Sequence, residues 1–169
     1  MQHELSLAKR VHNKVDLKGV ISMNIFEALR VSHDRQREYI DAVLRTQGDS
    51  VERKAAYQRL KEQLYAHETA EERHFYIPLM AHENGVDLSR HAIAEHHEMD
   101  ELLEKLDGIE MSSSAWLTTA RALGDKVLHH LKEEEQRFFQ MAGKLLTEKQ
   151  KITLAQDYNK EFGALLNSD

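Results

Sequence analysis

The chain repeats itself. A shift of 63 residues lays His33 on His96, His67 on His130, Glu71 on Glu134 and Glu72 on Glu135, and it also lays Phe75 on Phe138 and Tyr76 on Phe139. The string His-x-x-x-Glu-Glu-x-x-Phe-aromatic therefore occurs twice, each time with another histidine 34 residues before its own. Chance matches one or two such positions; two His, two Glu and two aromatics at one offset require a shared constraint. Two helix hairpins related by a pseudo-twofold axis meet that requirement.

Helices are the expected element. Apolar positions spaced at three and four run from Ile25 to Leu44, from about Ala55 to Met80, from about His91 to Leu106 and from about Trp116 to Leu145. With 7 Gly and 1 Pro in 169 residues, little breaks the chain into strands, and the length suits one domain with a single core. Segments 46–50, 83–89 and 107–114 read as connections, each with a Gly and a Ser suited to capping the next helix. Short connections make neighbours antiparallel, so the expected fold is all-α, an up-down four-helix bundle over 23–146. Thr147 and Gln150 have capping-box spacing, which predicts an additional C-terminal helix from Glu148 to about Leu166 within an extension over 147–169. Residues 1–22 read as an arm or short helix. The middle connection fits least well: helix three would start only about 7 residues before His96, leaving an extended Val86-Asp87-Leu88 to climb back at about 3.3 Å per residue.

On a helix, positions i and i+4 share a face, so His67 with Glu71 and His130 with Glu134 each present an imidazole and a carboxylate together. The hairpin turns bring His33 level with His67 and His96 level with His130, and six ligand-type groups converge in one core layer. Buried without counter-ions, such a set is strongly disfavoured, because desolvation and like charge both push carboxylates toward protonation. Cations remove the conflict. Imidazole and carboxylate without thiolate suit iron, manganese or zinc, and two His per ion with two Glu to bridge suit a pair of ions. Positions left open would accept an oxo or hydroxo bridge and a small ligand such as O2, peroxide or nitric oxide.

Composition excludes other chemistries. The absence of cysteine removes disulfides, thiolate metal sites and thiol nucleophiles, and a net charge of −6 with scattered signs gives no basic stripe for nucleic acid. No stretch reaches the roughly 18 apolar residues of a membrane span, and the amino terminus lacks the apolar core of a signal peptide, so a cytoplasmic protein is expected.

Ser32-His33-Asp34, the His-x-x-x-Glu-Glu motifs beginning at His67 and His130, and Glu95-His96-His97-Glu98 together resemble the hemerythrin-like HHE cation-binding domain over roughly residues 25–142. The resemblance implies His33, His67, His96 and His130 as iron ligands, Glu71 and Glu134 as bridges, and two iron ions in an oxo- or hydroxo-bridged centre, ahead of manganese or zinc. Two positions depart from the oxygen-carrying hemerythrins. Their second helix-three histidine is here Asp100, and their helix-four aspartate, five residues after its histidine, is here Glu134 at four with Glu135 at five. The pattern is more similar to bacterial members linked to nitric oxide, oxidative stress or iron sensing. A di-iron protein reacting with a small oxidant is therefore the first expectation, an oxidoreductase if it turns over. An iron-responsive sensor ordered by metal is the second, and a structural helical module the third. A homodimer or protein partner is compatible with any of them.

Other residues receive plainer readings. Glu72 and Glu135 read as a solvated face, His97 and His129 as surface groups, and His3, His12, His82 and His91 as exposed. His74 lies on nearly the same face as His67, so a surface role and one beside the site both stand. Phe75, Tyr76, Phe138 and Phe139 read as packing and a dry wall. Tyr39, Tyr57 and Tyr65 are candidates to meet a bound ligand, and nothing selects among them.

Overall fold

The computed structural model describes residues 22–168; the expected arm, with His3 and His12, lies outside the described residues apart from Ser22. Five helices form. Helix α1 is Ile25–Leu44; α2 spans 51–79, as Val51–Glu71, a π-helical turn Glu72–Tyr76, and Ile77–Leu79; α3 is Glu83–Asp107. Helix α4 spans 114–145, as Ser114–Glu133, a second π-helical turn Glu134–Phe138, and Phe139–Leu145; α5 is Glu148–Leu166. The first four make the up-down bundle, and α5 lies across α1 and α2.

The capping residues act locally. Asn24 with Glu27, and Thr147 with Gln150, close reciprocal capping boxes, while Ser50 and Ser113 each accept a backbone N–H from their first turns. Gly48, at φ 60°, makes the left-handed turn between α1 and α2.

The middle connection corrects the sequence reading. Residues 83–89 are helical rather than extended, and only Met80, Ala81 and His82 separate α2 from α3. Gly85 explains the difference, since it allows close approach instead of a turn: a Cβ there would stand 2.2 Å from the Leu79 carbonyl oxygen. Ser89 does not cap; its hydroxyl donates to the carbonyls of Tyr76 and Gly85 and fastens the helix start to the end of α2. α2 thus runs twelve residues past His67 and α3 begins thirteen before His96, which levels the histidines without a climbing strand.

Two apolar clusters fill the bundle. One gathers Ile25, Leu29, Phe75, Tyr76, Phe138 and Phe139 with α5 residues Ala155, Tyr158 and Phe162; the other gathers Leu60, Leu64, Met99, Trp116, Val127 and Leu131. In each of the four helices the key histidine falls in sequence between positions of one cluster and positions of the other. No helix among the described residues is long and apolar enough to cross a membrane.

Candidate metal centre

All six predicted residues meet in one buried layer: His33, His67, Glu71, His96, His130 and Glu134 are each at most 2% exposed. They form two overlapping sets, His33, His67, Glu71 and Glu134, and His96, His130, Glu71 and Glu134, within each of which the ligand-type atoms lie no more than 4.8 Å apart. Both glutamates belong to both sets. His33 Nε2 lies 3.2 Å from Glu134 Oε2, and His67 Nε2 and His96 Nε2 lie 3.3 and 3.4 Å from Glu71 Oε2. His130 Nε2 is 3.5 Å from Glu134 Oε1.

The residues present fit cations. Nε2 of His33 and of His67, both oxygens of Glu71 and Oε2 of Glu134 are buried with no hydrogen-bond partner. Each such atom left bare costs about 1–3 kcal/mol. Their 3.2–3.5 Å separations from one another are long for hydrogen bonds. They are the spacing of two ligands on one ion, since donors about 2.1 Å from a metal stand about 3.0–3.4 Å apart at angles between square and tetrahedral. His96 Nε2 and His130 Nε2 face one another at 3.1 Å, where two lone pairs repel unless a proton or cation lies between them.

Every imidazole is held from behind. His33 Nδ1 donates to Glu135 Oε1 at 2.8 Å, and Arg37 donates to the same oxygen at 2.9 Å. His96 Nδ1 donates to Glu72 at 2.8 Å, and His130 Nδ1 to Glu95 Oε2 at 2.7 Å. His67 Nδ1 meets hydroxyls instead, Ser32 Oγ at 3.0 Å and Tyr158 Oη at 2.9 Å. With Nδ1 engaged in this way, Nε2 turns its lone pair to the cluster, the arrangement of a metal-ligating histidine.

Glu72 and Glu135 are therefore not a solvated face, as their sequence reading had it. Glu95, Ser32 and Tyr158 carried no role in that reading, and Tyr76 was read as packing alone, whereas its hydroxyl donates to Glu134 Oε1. The 63-residue shift held the signals, pairing Glu72 with Glu135, Ser32 with Glu95, and Tyr76 with a phenylalanine. Phe139 stacks on His33 with Phe75 packed against it, so these two form the dry wall, whereas Phe138 is buried against His91 at the edge of a surface cleft. His97 and His129 are exposed, His91 is half exposed and His82 is part-buried. His74 pairs with Glu161 of α5, away from the cluster. Tyr57 bonds Asp107 near the opposite end of the bundle, and Tyr65 faces solvent.

Protons alone balance the cluster unevenly. Burial opposes charge on His96, but the Glu71 and Glu72 carboxylates outweigh it and push its pKa up to about 10. Burial dominates at His33, whose pKa falls to about 4 despite Glu135. Burial also acts against the Glu71 carboxylate, yet His67 and His96 hold it well below the usual range, whereas burial and the nearby Glu71 push Glu134 up.

The sequence profile described as Hemerythrin HHE cation binding domain matches residues 24–142. The chain belongs to that family. Among solved structures, this hemerythrin HHE chain is similar to the hemerythrin HHE cation binding domain-containing protein of Mycobacterium kansasii, an Rv2633c homolog. The TM-score is 0.78 and the identity 20%, over 86% of this chain and 89% of that one. The likeness shows that the HHE fold extends to five helices packed as a bundle. No curated protein matches the chain.

Proposed function

We propose that this HHE domain holds two iron ions and uses them to bind or turn over a small oxidant, O2, peroxide or nitric oxide, in stress response or sensing. One observation carries the reading: four imidazole Nε2 atoms close on two fully buried carboxylates whose facing oxygens are mostly without partners. His33 and His67 would hold one ion, His96 and His130 the other, and Glu71 and Glu134 would span both. The bound pair would supply one-electron redox steps and free coordination positions.

The chain's own residues do the rest. Glu135 with Arg37, Glu72 and Glu95 orient three imidazoles, and Phe139, backed by Phe75, keeps water from the His33 side. Tyr76 keeps an O–H on a bridging carboxylate. Asp100, in place of a fifth histidine, is exposed, which favours reaction over oxygen carriage.

Metal content of protein purified without added metal, with absorption spectra before and after dithionite and nitric oxide, tests the proposal. About two irons per chain with a band bleached by dithionite is the expected result, lost in Glu71→Ala and Glu134→Ala. Two manganese ions would change the metal, two zinc ions would remove the redox reading, and no metal even after ferrous reconstitution would sink it. An iron-responsive sensor has one observation in its favour, the Tyr158 hydroxyl that ties α5 to His67. Chelation should then lower helicity and Tm sharply; a chelated protein as stable as the loaded one excludes it.

A further inference from the structure

Helix α5 covers one half of the bundle and leaves its pseudo-symmetric counterpart open. Beneath it, Ala28, Ala66 and Ala70 are buried in one cluster with Tyr158 and Phe162, beside Ser32. The 63-residue shift turns these four positions into His91, His129, Glu133 and Glu95. Where one half has small residues under a helix, the other has two imidazoles and two carboxylates on the uncovered side of α3 and α4, with His91 and His129 exposed, Glu133 part-buried and Glu95 buried. The spacing is again His-x-x-x-Glu on both helices, His91 with Glu95 and His129 with Glu133.

We propose that this face is a second, accessory metal site that takes a borderline divalent transition ion such as zinc or ferrous iron on His91 Nε2, Glu133 Oε2 and Glu95 Oε2, with His129 as a fourth donor. The first three groups bring their ligand atoms within 4.8 Å of one another. His91 Nε2 is 3.3 Å from Glu133 Oε2, already the separation of two ligands on one ion, and 3.8 Å from Glu95 Oε2. A small rotation of a half-exposed imidazole closes the second gap. His129 Nε2 lies 3.9 Å from the same Glu133 oxygen.

The flanking cations orient the carboxylates without occupying their facing oxygens. Arg137 donates to Glu133 Oε1 at 3.0 Å, and Lys126 Nζ stands 3.5 Å from Glu95 Oε1, which leaves both Oε2 atoms turned to His91. A cleft of about 750 Å3, with Glu83 and Asp87 balanced by Arg137 and Lys144 in its wall, opens beside His91 and gives a hydrated ion access to that imidazole. Glu95 Oε2 is also the atom that accepts from His130 Nδ1. An ion on this face would thus pull on the group that orients a ligand of the buried centre. The site itself does not depend on what the buried centre holds.

Zinc stoichiometry by equilibrium dialysis of the full chain tests it, in wild type, H91A/E133Q, E71A/E134A and the four-substitution combination. We expect wild type to retain one zinc more than H91A/E133Q, and E71A/E134A to retain one zinc that the combination loses. Equal zinc within either pair overturns the site. If instead E71A/E134A binds as much as wild type while H91A/E133Q still removes one ion, the buried-centre reading fails and this one stands. Should E71A/E134A not fold, carbethoxylation of His91 by diethyl pyrocarbonate decides. Zinc should slow it in wild type and not in E133Q, and equal rates with and without zinc in wild type overturn the proposal.

Discussion

The two hairpins bring the same ligands to the centre and support them differently. His130 is backed by the Glu95 carboxylate with Lys126 behind it, whereas its counterpart His67 is backed by two hydroxyls, one delivered by α5. The Glu71 and Glu72 carboxylates push the His96 pKa up to about 10 against burial, whereas burial drives its counterpart His33 down to about 4 and lowers His130 as well. A carboxylate behind an imidazole makes it a more basic ligand than a hydroxyl does. The second half is thus the open side, with a carboxylate behind each imidazole, and the first the covered side, where two hydroxyls stand behind His67 in place of one carboxylate. Sequence symmetry fixes which atoms can bind an ion; the unsymmetrical residues around them make the two positions inequivalent.

Removing α5, by ending the chain after Leu146, should have the largest effect, because it acts on the first half alone. Burial of Tyr158 and Phe162 is lost and Ala28, Ala66 and Ala70 are uncovered, a cost of about 3–6 kcal/mol. Thermal melting by circular dichroism checks it, and a shortened chain that melts with the full one would break the contrast. Next, Glu95→Gln should lower metal affinity about 10–100-fold in chelator competition. Ser32→Ala, at the equivalent position, should lower it only about 2–10-fold, the worth of one neutral hydrogen bond. Equal losses would erase the distinction between the halves.

Tyr76→Phe makes the halves more alike and should cost the metal-free protein about 1 kcal/mol, since it leaves the buried Glu134 Oε1 without its donor. Denaturant unfolding reads this change. The smallest effect is on pH dependence. The His33 pKa is depressed, so its contribution is present above the ordinary histidine value of 6.5 and lost as pH falls toward about 4. The His96 pKa is raised, so its contribution is full below 6.5 and lost as pH rises toward about 10. Metal-free protein should be most stable between these arms, and metal loading should abolish the alkaline arm, because an ion replaces the proton on His96. Urea midpoints across pH test both statements.

Much of this was legible in the sequence. Helical periodicity and capping residues located α1, α4 and α5 closely, and the repeat brought all six cluster residues to one layer. Gly85 misled because glycine serves two purposes, turning a chain and letting backbones touch, and only the Leu79 carbonyl above it tells which. Glu72 and Glu135 misled because i+5 on a regular helix points away from the histidine face, while their true partners sit on other helices: His96 on α3 and His33 on α1. Tyr158 lies outside the repeat altogether, so nothing in the duplicated pattern could bring it to His67.

The π-helical turns have a historical consequence. Each widens its helix at the cluster glutamate or directly after it, with Ile77 N–H donating to the Glu72 carbonyl and Phe139 N–H to that of Glu134, five residues back in both cases. An irregularity shared by both copies at nearly one place is what duplication of a single ancestral hairpin leaves behind. Such a hairpin, paired with a second copy of itself about a twofold axis, would already have offered two imidazoles per ion and one carboxylate from each subunit. Around that shared frame the two halves differ, one lying under a covering helix and the other carrying His91, His129, Glu133 and Glu95 where the first has three alanines and a serine.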